Sequence, residues 1–269
     1  MGARLGKNLS MSEATYLYCL VREPQEPALA GAPPGLPGCS PPRLLAVADG
    51  LWLVTAQAPL PEYGSEEIES RLSDLSWVSD RALAHEAIIE HFTGADAVLP
   101  MKLFTLFASD ERALAHFRDN RERIGRALDR VAGCVEWGVR ILFDDARARE
   151  ALAAEARQET GQRSGTAFLR RKKQEQDASR DLAGRLRAEA DAAFAELAEG
   201  AADAVRREPA APPEAGGRLL LDAAFLVRTS DGADFEAAVE RCAGRLAPRG
   251  CEVVLTGPWP PYHFAEEAR

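Results

Sequence analysis

The chain has 269 residues, 46% of them hydrophobic and 28% charged, with a formal net charge of −9 and a pI near 5.1. This is enough apolar material for a sizeable core, which excludes wholesale disorder, and the length predicts two domains. The acidic balance speaks against a general nucleic-acid binder, and no apolar run approaches the roughly 20 residues of a membrane-spanning helix. The opening "MGARLGKNLS" lacks the apolar centre of an export signal, so the cytoplasm is the expected location. The five cysteines are scattered, form no C-x-x-C pair, and are expected to act as small buried hydrophobes.

Residues 1–14 read as a disordered tail. "TYLYCLV" (15–21) is rich in β-formers and predicts a buried strand. "REPQEPALAGAPPGLPGCSPPR" follows, too dense in Pro and Gly for a helix or central strand, and predicts a long surface loop. "LLAVADGLWLVTA" (44–56) is two apolar runs around Asp49-Gly50, a strong hairpin signal.

The stretch "HEAIIEH" (85–91) invites comparison with the zinc-binding H-E-x-x-H helix. His85 and His91 are six residues apart, about 120° around a helix, whereas the histidines of that motif are four apart, and two imidazoles so splayed do not easily reach one zinc ion from a single helix. Val78, Ala82, His85, Ile89 and Phe92 instead follow the stripe of an amphipathic helix over 77–92. His85 is expected at the core, satisfied by one hydrogen bond, with Glu86, Glu90 and His91 in water.

"AVLPMKLFTLF" (97–107) predicts extended chain with Pro100 at an edge or bend. Ser109 is an expected N-cap, with Asp110 and Glu111 favouring the positive helix start. Leu114, Phe117, Ile124, Leu128 and Val131 form the stripe of a single helix that Gly133 ends. "EWGVRILF" (136–143) predicts a strand, with Trp137 in the core and Glu136 able to pair with Arg140 on one face.

From Asp144 to about Arg207 the composition turns to Ala, Arg, Glu and Gln, which predicts a long helical insertion. "RRKK" (170–173) within it reads as a solvated helix face, since acidic residues follow at once. "EPAAPPEAGG" (208–217) is a break. "RLLLDAAFLVR" (218–228) predicts a strand, Phe235, Val239, Cys242 and Leu246 a helix over 234–247, and "CEVVLTG" (251–257) a closing strand. The expected fold class is α+β in two domains: an N-terminal α+β domain over 15–135, and a ferredoxin-like domain over 136–269 carrying the helical insertion 144–207. No phosphate-binding glycine loop, nucleophile elbow, paired carboxylates or metal cluster is legible, so the chain is not expected to be an enzyme and no cofactor is expected.

Five stretches occur in a fixed order: "TYLYCLV", "VLPMKLFTLF", "EWGVRI", "GTAFLRRKK" and "TGPWPPYHF". Together they resemble the gas vesicle protein F/L family (GvpL/GvpF) from about Thr15 to Phe264, and His85 matches a histidine typical of the family's helix. The chain departs from the family pattern at Phe104, where the family usually has a glycine before Thr105, and at Phe168, where it commonly has tyrosine. The resemblance implies a two-domain α+β fold and a role in building gas vesicles, the hollow protein shells that give cells buoyancy. It implies a minor shell component or assembly factor, located at the gas vesicle, whose partners are the major gas vesicle shell protein and other gas vesicle accessory proteins. No nucleic acid and no membrane enter this reading, and the oligomeric state is left open, as is the choice between F and L types.

Pro258, Trp259, Pro260, Pro261, Tyr262 and Phe264 are the candidate partner-binding residues. The prolines stiffen the backbone and the aromatics offer large contact areas at low entropic cost. The competing reading has Trp259 and Phe264 tying the C-terminal segment to its own domain. Two rival functions remain: a generic adaptor that docks through the 144–207 helices, and a small-molecule enzyme on a ferredoxin-like fold.

Overall fold

The computed structural model describes residues 13–144, 184–208 and 218–265. These group into two compact units. One ends at Gly133 and resumes at Pro260; the other is Cys134–Trp259. The second domain expected to run to the C-terminus therefore gives up its last segment, and the physical reason is the burial of that segment's aromatics, described below.

The first unit is built on β1 (Glu13–Arg22), β2 (Arg43–Ala48), β3 (Leu51–Pro59), β4 (Ala97–Pro100) and β5 (Leu106–Phe107). Every pairing is antiparallel, in the order β2-β3-β1-β4, with β5 also on β1. The expected hairpin is present, since Ala48 pairs with Leu51 across Asp49-Gly50. The 97–107 stretch forms two short strands around a turn rather than one, and Pro100 lies on the edge strand, where no ladder hydrogen bond is forfeited.

The loop between β1 and β2 departs from a simple surface course. Leu36 is buried, its N–H donates to Tyr18 Oη at 3.0 Å, and Tyr63 Oη donates to the Pro37 carbonyl at 2.5 Å. A loop without regular hydrogen bonds can enter a core only where side chains satisfy its backbone, and two tyrosines do so here.

Helices α1 (Leu60–Tyr63), α2 (Ser65–Arg71) and α3 (Leu75–His91) follow β3. Asp74 caps α3 by accepting from the Trp77 N–H. Ile88, Ile89 and Phe92 pack against Tyr16, Tyr18 and Val54 of the sheet. Val78 and Ala82 of the expected stripe are only half-buried, and Trp77 and Ile88 take their places. The expected single helix after Ser109 is two, α4 (Asp110–Asp119) and α5 (Arg121–Val131). The break falls at Asn120, whose φ of −103° and ψ of 17° leave the helical region; its backbone N–H and its side-chain amide both donate to the His116 carbonyl, at 3.2 and 2.8 Å, and close α4. Ser109 caps α4 as expected. Asp110 does more than favour the helix start, accepting from Thr15 Oγ1 (2.6 Å) and from both terminal nitrogens of Arg43 (2.8 and 2.6 Å). Arg43 holds its carboxyl below the usual range.

The second unit holds β6 (Cys134–Phe143), a helix α6 described over 184–199, β7 (Asp203–Arg206), β8 (Arg218–Arg228), α7 (Gly232–Leu246) and β9 (Cys251–Trp259). The sheet order is β7-β8-β6-β9, antiparallel throughout. The end of the expected helical insertion is thus a strand, because Gly200 ends α6 and β7 pairs with β8 on the sheet edge. Its four residues, Asp-Ala-Val-Arg, are too short a run to carry a strand signal within an alanine-rich stretch. Residues 145–183, including "RRKK" and Phe168, lie outside the described residues, as do 1–12. Phe235, Val239, Cys242 and Leu246 are all buried against Trp137, Val139 and Phe225, as their spacing predicts.

Candidate functional site

The motifs that lie far apart in sequence come together as neighbouring strands, one set in each unit. In the first, "TYLYCLV" on β1 is flanked by both strands of "VLPMKLFTLF". Cys19 pairs with Pro100, Tyr16 with Leu106 and Thr15 with Phe107. Between them the chain turns at Phe104, whose φ of 64° makes it the one described non-glycine residue in the left-handed region. Phe104 thus adopts a backbone conformation that glycine takes without strain. Such a conformation costs a large side chain about 1 kcal/mol or more. The cost is offset by contact, since the Phe104 ring stacks on Trp77 with centroids 5.4 Å apart, and Arg81 covers Trp77 at 4.3 Å.

His85 joins this turn to the sheet. The Met101 carbonyl accepts at 3.0 Å from Nε2, which fixes the proton there and leaves Nδ1 to accept from Tyr16 Oη at 2.7 Å. Tyr16 Oη in turn accepts from the Phe104 N–H at 3.3 Å. His85 is 3% exposed, and burial lowers its pKa to about 4, so the ring is neutral. Two hydrogen bonds satisfy it where one was expected, and neither nitrogen is available to a metal. His91 is elsewhere occupied, its Nε2 lying 3.0 Å from the Ala28 carbonyl. Among the described residues no group of three metal-ligating side chains occurs. All five cysteines are free thiols, and burial raises Cys39 and Cys251 to about 11.

In the second unit, "EWG" on β6 lies beside "TGPW" on β9, with Glu136 in register with Trp259 and Gly138 with Thr256. Both glycines are there for close approach. A Cβ on Gly138 would stand 2.5 Å from Thr256 Oγ1, and one on Gly257, whose φ is 116°, would stand 2.8 Å from the Glu136 carbonyl. Trp137 is core, as expected. Arg140 pairs with Asp222, directly across the β6–β8 ladder: Nε donates to Oδ2 at 3.1 Å, and Arg207 Nε donates to Oδ1 at 2.7 Å.

The six candidate residues divide. Pro258 and Trp259 end β9, which is an edge strand with no further strand on its outer side among the described residues, and Trp259 is 43% exposed. Pro260, Pro261 and Phe264 are buried in the first unit, and Phe264 receives Arg130 over its ring at 5.5 Å. Tyr262 donates a hydrogen bond to Glu86 Oε2; burial and then that carboxylate raise its pKa. Glu86, expected in water, is thus half-buried on the side of α3 that receives the chain's end. Nothing in the 3.6-residue pattern signals this, because the partner is 176 residues away.

The fold is shared with two crystal structures of gas vesicle protein GvpF, each 17% identical to this chain with a TM-score of 0.65. The protein from Anabaena sp. PCC7120 matches over 95% of this chain and 97% of its own, and that from Microcystis aeruginosa over 94% and 99%. This defines an α+β fold of the GvpF type. The model of the gas vesicle synthesis protein GvpL/GvpF family matches residues 14–266, and the chain belongs to that family. Gas vesicle protein L from a Streptomyces species is 34% identical over 263 residues, covering 96% of this chain and 94% of the relative. Gas vesicle protein L2 from Halobacterium salinarum is 28% identical, with 96% and 93% covered. The chain therefore has a gas vesicle-related role. No helix among the described residues is long and apolar enough to cross a membrane.

Proposed function

We propose that this protein is a gas vesicle accessory protein that binds the major gas vesicle shell protein, as a minor shell component or an assembly factor, and that Trp259 is its main contact. It acts in the cytoplasm and at the gas vesicle, alongside other accessory proteins, and catalyses no reaction. The carrying observation is the exposure of Trp259 at the end of an edge strand. An edge strand offers unpaired N–H and C=O groups to an added strand, and a large exposed aromatic beside it supplies the anchor that most interfaces need. A shell subunit with an air-facing apolar surface aggregates in water unless another protein covers it.

The N-terminal domain, 15–135, and the C-terminal domain, 136–269, are assigned on the support of the two compact units, with residues 260–265 reassigned to the first. The ferredoxin-like reading of the second is supported by its antiparallel order β7-β8-β6-β9, with α6 between β6 and β7 and α7 between β8 and β9.

The test is co-purification of the major shell protein with wild type and Trp259→Ala. Loss of the shell protein from the variant, with its melting temperature within about 2 °C of wild type, is expected. Undiminished co-purification would remove Trp259 from the interface. A large fall in melting temperature would make it an internal tie.

A further inference from the structure

Helix α3 carries a second apolar ridge that its own sheet does not use. Leu75 and Leu83 are 78% and 71% exposed, and Leu72, just before the helix, is 53% exposed. These are the three most exposed large hydrophobic residues described, and they fall within twelve positions. Leu75, Ser79 and Leu83 step by four residues along one face, which small side chains leave open, while Trp77, His85 and Ile88 occupy the buried face. Single exposed leucines are ordinary; a ridge opposite a fully buried face is the pattern of a helix with two partners.

The charge around the ridge names the second partner. Asp80 and Glu90 on α3, and Asp74 at its N-cap, are exposed acids. The two arginines of this region are turned to the Trp77 side. Arg81 lies over the Trp77 ring and its Nη1 donates to the Trp77 carbonyl, while Arg71 pairs with Glu67 and lies 5.7 Å from the same ring. The leucine ridge is left with a rim of one sign. We infer that α3 docks an amphipathic helix of another protein, whose leucine-like face is flanked by lysine or arginine. Helix ridges interlock in such a pair, and the basic flanks meet the acidic rim. This surface belongs to the compact unit that does not contain Trp259, and it stands or falls apart from the function proposed above.

The test is titration calorimetry of the full chain with a synthetic helical peptide of about 18 residues, leucine on one face and lysine on its flanks. A counterpart carries glutamate in place of lysine. The lysine peptide is expected to bind, the glutamate peptide to bind at least about tenfold more weakly, and added salt to weaken the first. Leu75→Ser with Leu83→Ser is expected to lower affinity for the lysine peptide at least about tenfold, with no change in circular dichroism or melting temperature, since both side chains are already in water. Asp80→Lys with Glu90→Lys leaves the leucines in place and is expected to abolish the preference between the peptides. Equal binding by the serine variant would overturn the proposal, as would equal affinity for the two peptides. A concentration-dependent dimer in sedimentation that disappears in the serine variant would overturn it too, in favour of a second copy of this chain.

Discussion

Trp259 and Phe264 are five residues apart in one aromatic, proline-rich stretch, yet 43% of the first is exposed and only 1% of the second. Phe264 is buried in the first unit, with a cation over its ring and a neighbouring tyrosine anchored to Glu86. Trp259 has the last position of an edge strand. The internal tie is thus seen at Phe264, though in the first unit rather than the second, while a partner contact is what we propose for Trp259. Residue type does not separate them, because a large aromatic gains from desolvation against either its own chain or another.

Five measurements break or sharpen that contrast. Phe264→Ala is expected to cost about 3–5 kcal/mol in urea unfolding, the usual penalty for emptying a buried aromatic site; a cost under about 1 kcal/mol would place Phe264 with Trp259.

The second concerns the helix that receives Tyr262. His85 is neutral when folded, with its pKa lowered from 6.5 to about 4. Its stabilising contribution is full above pH 6.5 and is lost as pH falls toward 4, because the unfolded chain gains a proton first. The slope is about 1.4 kcal/mol per pH unit between these values, summing to roughly 3 kcal/mol. Melting temperatures at pH 6.5 and 5 check it, and His85→Gln should flatten the dependence.

Tyr262→Phe keeps the ring and removes the hydrogen bond to Glu86, for an expected loss of about 1–2 kcal/mol in the same unfolding assay. Phe104→Ala is expected to be about 1 kcal/mol less stable than Phe104→Gly. Both lose the stack on Trp77, and only glycine is relaxed at φ 64°. Trp259→Ala should change stability least, by under about 0.5 kcal/mol, while it removes shell-protein binding.

Where local pattern and tertiary packing agree, the sequence was sufficient. The α7 stripe of Phe235, Val239, Cys242 and Leu246, the Asp49-Gly50 hairpin and the Ser109 cap all depend on neighbours within about a dozen residues. The family, too, was legible in five short motifs. Four of them form paired strands, and in one pair close approach forbids a side chain, at Gly138 beside Thr256 and at Gly257 beside the Glu136 carbonyl.

The sequence also determined that His85 and His91 do not form the H-E-x-x-H pair, since six residues of helix separate them by a third of a turn. Only the tertiary structure decided what satisfies it: a tyrosine 69 residues away and a carbonyl 16 residues away. The same holds for the strand β7 inside an alanine-rich stretch, the buried centre of the Pro-rich loop, and the division of the candidate site between Trp259 and Phe264. Each of these depends on a surface contributed by a remote part of the chain. Burial is a property of both partners, whereas composition and period describe only one.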